Sequence, residues 1–60
     1  MTLEKAVAAR DQARYDVLIA VKDAKTARGT QSEAARLADL FRVYAEYEAA
    51  DLAVVNEMIP

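Results

Sequence analysis

A single glycine, Gly29, stands almost at the midpoint of sixty residues, and the one proline, Pro60, is the last of them. No other strong helix breaker interrupts the chain. Glycine can take the left-handed conformation that ends a helix. Lys25 and Arg28 precede it, where positive charge complements the negative end of a helix dipole. Thr30-Gln-Ser-Glu33 follows, with the Thr-x-x-Glu spacing of a capping box; Ser32 is the rival cap and would move the start by two residues. A stop signal and a start signal this close together predict a tight connection between two helices. The expected fold is all-α: one antiparallel two-helix hairpin over 1–60, with helices at about 3–28 and 31–58 and the turn at 29–30. Thr2 is a candidate first cap, and Pro60 disfavours helix at Ile59.

The composition agrees with this reading. Fourteen residues are alanine, the best helix former. A chain of about 60 residues buries only about 60% of its unfolded surface, so small domains need a staple, a metal or a partner. With no cysteine there is no disulfide, and with no histidine the commonest metal ligand and acid-base group are missing. Association is the remaining support.

Ala6, Ala13, Ala20 and Ala27 recur every seven residues; with Leu3, Val17 and Ala24 they form a 3-4 spaced stripe, interrupted by Arg10. Such a stripe predicts close approach of the helices and a slight left-handed supercoil. On the second helix, Ala34, Ala38, Phe41, Ala45, Leu52, Val55 and Ile59 share one face, taken as the matching seam. Folding at the glycine then pairs Ala20 with Ala38, Val17 with Phe41, Ala13 with Ala45 and Ala6 with Leu52. Glu48 interrupts this face and falls opposite Arg10, with Arg14 nearby. The expected answer is a cross-helix salt bridge that fixes register; the alternative is a buried acid with a functional role.

A lone hairpin needs one apolar stripe per helix. The second helix carries another, Leu40, Val43, Tyr47, Val54 and Met58, with Tyr44 between the two. The first helix adds Tyr15 and Ile19 on its outer face. These eight residues are the expected association surface, because soluble monomers avoid contiguous apolar patches. A symmetric dimer forming a four-helix bundle is the simplest arrangement. A larger protein partner, or a place as a subunit in a larger particle, is the alternative.

The net charge of −2 disfavours a dedicated nucleic-acid binder. Yet the halves differ: residues 1–28 carry +2 and residues 29–60 carry −4. Arg10, Arg14, Lys25 and Arg28 lie in one arc of the first helix and could track phosphates or meet an acidic protein surface. Asp11, Asp16 and Asp23 on the same helix argue against the former, as does the lack of aromatic stacking residues in the arc.

Serine-protease-type and cysteine-type constellations need histidine or cysteine, and one glycine cannot build a phosphate-binding loop. Acidic pairs such as Glu48 with Asp51, or Asp39 with Glu46, have the spacing of a solvated helix face. No enzyme activity and no cofactor are expected. The N-terminal run Met-Thr-Leu-Glu-Lys-Ala-Val lacks the apolar core of a signal peptide. The longest apolar run, Val17–Val21, is far short of the ~20 residues of a membrane span. A cytoplasmic protein is the expectation.

In architecture alone, a sixty-residue hairpin that dimerises into a bundle resembles the Rop-type RNA-binding regulators of plasmid copy number. That likeness would imply a nucleic-acid-binding regulatory dimer using the basic arc. It rests on no matching motif, so no functional residue is carried over.

Overall fold

The computed structural model describes residues 2–59. Two helices pack against each other as a hairpin, α1 from Leu3–Thr26 and α2 from Glu33–Met58, with no strands among the described residues. The rod measures 47 × 13 × 12 Å. The single-unit expectation over 1–60 includes Met1 and Pro60, which lie outside the described residues.

Both ends of the hairpin follow local chemistry. Thr2 is extended and its Oγ1 accepts from the Lys5 amide at 3.2 Å, satisfying one of the orphan donors of α1. Ile59 leaves the helix at φ −87°, ψ 126°, the extended conformation that a following proline imposes.

The connection is longer than the expected two residues. α1 ends at Thr26 and α2 begins at Glu33, so 27–32 form the turn. Gly29 has φ +77°, the left-handed conformation expected of it. It lies two residues beyond the cap residue Ala27, inside a turn closed by the Thr30 amide on the Ala27 carbonyl at 2.9 Å.

The expected capping box does not form. Thr30 Oγ1 donates to the Ala27 carbonyl at 2.6 Å and accepts from the Ser32 amide at 3.2 Å. The hydroxyl oxygen thus takes the Ser32 amide and not that of Glu33, which donates to the Thr30 carbonyl at 3.3 Å. Ser32 takes the cap position, without a side-chain hydrogen bond, and the Glu33 carboxylate sits in the first turn, where the dipole favours it.

The α1 seam is as expected except at Leu3, in the first turn, which is 46% exposed. Ala6, Ala20, Ala24 and Ala27 are buried, with Arg10, Ala13 and Val17 half-buried between them. The α2 seam is not. Val43 and Val54 are buried at 8% and 4% exposure, and Leu40, Tyr47 and Ala50 are half-buried. Phe41, expected in the seam, is 73% exposed; Ala34, Ala38, Ala45, Leu52, Val55 and Ile59 are exposed too. Accordingly Ala20 lies beside Val43 and Ala24 beside Leu40, not opposite Ala38.

The inner and outer faces of α2 are thus reversed. The face turned inward sets Val43 and Val54, with Leu40 and Tyr47 half-buried, against the small alanines of α1, whose short side chains permit close approach; the larger Phe41, Leu52, Val55 and Ile59 stay outside.

The Arg10–Glu48 salt bridge is also absent. Glu48 is exposed, and Arg10 holds Asp11 at 3.2 Å on its own helix.

Candidate interaction surface

The reversal redistributes the eight residues expected to form a contact surface. Val43 and Val54 are core, and Leu40 and Tyr47 line the seam. Tyr15, Ile19, Tyr44 and Met58 remain exposed. The Tyr44 and Tyr47 rings meet edge to face at 6.3 Å, which links the seam to the outer surface.

The vacated seam face gives α2 an unbroken surface row. Leu37, Phe41, Tyr44, Glu48, Leu52, Val55 and Ile59 follow one another at three- and four-residue steps. All are exposed, and all but Glu48 are apolar or aromatic. Leu37 was absent from both stripes read in the sequence. Its signal was its place one step before Phe41 in this row.

The rod has two unlike sides. On one, a groove near the turn is lined by Val21, Ala24, Lys25 and Arg28 of α1 with Glu33, Leu37 and Leu40 of α2. This side continues along α2 as the apolar row. On α1, helical periodicity brings Val7, Arg10, Arg14 and Val21 to the same side. Three of the four residues of the basic arc, Arg14, Lys25 and Arg28, are exposed there, and Arg10 is half-buried.

On the opposite side the groove is polar. Asp16 and Asp23 of α1 face Asp39, Arg42 and Glu46 of α2, with Ile19 among them. Arg42 bridges Asp39 at 3.1 Å and Glu46 at 3.0 Å, and Gln12 donates to Asp16 at 3.1 Å. The hydrogen bond from Arg42 to Asp39, with the nearby charges of Asp39 and Glu46, raises the guanidinium pKa. Two acids of its own helix occupy this arginine, and charged side chains make up most of this side.

No side chain larger than valine is buried among the described residues. The accessible surface is 4692 Å² for 6.6 kDa, where a compact monomer of that mass exposes about 3,900 Å². The surplus of about 800 Å² matches what each partner contributes to a standard stable interface.

Among the described residues, no group of three or more His, Cys, Asp or Glu side chains could hold a metal ion, and no buried side-chain polar atom lacks a partner. No helix is long and apolar enough to cross a membrane. Comparison with protein-family models, with curated proteins and with solved structures finds no match. The architectural likeness to Rop-type regulators therefore lends this chain no function.

Proposed function

We propose that this chain is a non-enzymatic assembly module: two copies associate through helix faces into a four-helix bundle, which acts as a protein-interaction unit. The observation that carries the reading is the exposed row from Leu37 to Ile59. Solvent-facing apolar residues at three- and four-residue steps, interrupted only by Glu48, form the kind of stripe a helix presents to another helix. The thin alanine and valine core supports it, since a small domain without staple or metal gains its stability from association.

Nucleic-acid binding by Arg10, Arg14, Lys25 and Arg28 is the weaker reading. The four alternate with apolar positions and share their side of the rod with Glu33 and the Glu48 row. A mixed surface of this kind suits a protein face better than a phosphate backbone.

Light scattering after size exclusion, at low and high salt, tests the proposal. The expected result is a dimer at micromolar concentration that persists in high salt, because the apolar row is indifferent to screening. A monomer under both conditions would refute it.

A further inference from the structure

We infer that the second copy covers the Phe41 side of the rod, related by a two-fold axis that runs along it, so that both turns lie at the same end. The inference rests on the self-association proposed above. What it adds is the face, the axis and the charge pairs across the interface.

The choice of side follows from what needs cover. The polar groove is lined by four acids and one arginine, which holds Asp39 and Glu46, and so presents mainly negative charge to a second copy of itself. The other side carries the exposed apolar row, and the surplus surface matches one partner's share of a stable interface.

The charges choose the axis. Stacking two such faces admits two closed arrangements. An axis along the rod sets α1 of each copy against α2 of the other and keeps every residue at its own height. An axis across the rod sets α1 on α1 and α2 on α2, running oppositely.

Heights can be read from the seam. Ala20 and Val43 lie side by side. Arg14 precedes Ala20, and Glu48 follows Val43, by five or six residues, which places both about 8 Å further from the turn. Near the turn, Arg28 and Glu33 line one groove and lie at nearly the same height, about 12 and 15 Å from the Ala20–Val43 pair. An axis along the rod therefore brings Arg14 of each copy to Glu48 of the other, and Arg28 to the other copy's Glu33.

The axis across the rod does the opposite. Arg14 lies near the midpoint of α1 and Glu48 near that of α2. Each would face its own image across the interface. Juxtaposed like charges disfavour that arrangement, and opposite charges favour the first. Glu48 thereby acquires a role. It is the one polar residue in the apolar row, and its arginine comes from the other chain.

Two measurements on the full chain test this. The chain has no cysteine, so Gln31→Cys in the exposed turn takes a single spin label. The expected label–label distance is roughly 10–20 Å, set by interaxial spacing and label arms. The crosswise axis would put the labels at opposite ends of a 47 Å rod. In the second measurement, Arg14→Glu and Glu48→Arg should each weaken the dimer about tenfold, and the double variant should recover it. Both side chains are exposed, so helicity by circular dichroism should be unchanged.

A short distance with recovery in the double variant is the expected result. A dimer with a long distance, or a double variant that stays weakened, overturns the arrangement while leaving self-association standing. A monomer with no dipolar coupling overturns self-association itself.

Discussion

The Ala27 carbonyl accepts twice from Thr30, from its amide at 2.9 Å and from its hydroxyl at 2.6 Å. One residue thereby closes the end of α1, and with its bond from the Ser32 amide it also shapes the approach to α2. Thr30→Val keeps the shape and removes both hydroxyl bonds. The expected loss is about 1 kcal/mol. In a chain of this size that lowers the melting temperature by about 4–8 °C. Thr30→Ser keeps the hydroxyl and should retain most of the stability. Thermal melts by circular dichroism decide, and equal losses in both variants would mean that the hydroxyl does not hold the turn.

Gly29 separates backbone strain from steric exclusion. Its φ is +77°, and a Cβ built there would meet nothing within 4 Å. Gly29→Ala should therefore cost only the left-handed conformation, about 1–2 kcal/mol. Gly29→Asn should cost less, because asparagine tolerates that region. The ranking Gly, Asn, Ala in denaturant midpoint is the test. An alanine variant as stable as the parent would show that the turn takes another conformation.

The alanine seam sets how closely the helices approach. Ala20 is buried in the seam and lines, with Val43, one groove between the helices, so a longer side chain there must displace the facing helix or turn into that groove. Ala20→Leu should destabilise the hairpin by about 1–3 kcal/mol through overpacking. Ala8→Leu, on the exposed face of the same helix, should change stability by no more than about 0.5 kcal/mol. Chemical denaturation of the two variants side by side measures the difference.

The parts of this fold that were legible in sequence are those set by one residue's own chemistry. Gly29 takes a positive φ, Thr2 caps α1, Ile59 leaves the helix before Pro60, and the heptad alanines of α1 form the seam. Features that depend on competition between residues were not legible. Thr30 had the spacing to cap α2, but its hydroxyl oxygen accepts from Ser32 and the Glu33 amide goes to its carbonyl. On α2, apolar residues cover more than half the circumference, so periodicity identifies two candidate faces without ranking them. The ranking depends on how each face packs against α1, which periodicity on α2 alone does not contain; Val43 and Val54 turn inward and Phe41 and Leu52 outward. Glu48 followed the face it sits on. Once that face turned outward, Arg10 was out of play within the chain and paired with Asp11.

That reversal makes opposite predictions for two aromatic residues on one helix. Tyr47 is half-buried in the seam, whereas Phe41 is 73% exposed on the row assigned to the second copy. Tyr47→Glu would place an unpaired carboxylate against the α1 alanines, where burial without a partner is costly. It should reduce helicity at every protein concentration. Phe41→Glu places its charge in solvent within a single chain, so the dilute variant should remain as helical as the dilute parent. Its effect should appear in association: the parent's melting temperature should rise with concentration, as linkage to a dimer requires, and the variant's should not. Melts over a hundredfold concentration range separate the two. If Phe41→Glu melts with the same concentration dependence as the parent, the Phe41 row is not the face the second copy covers.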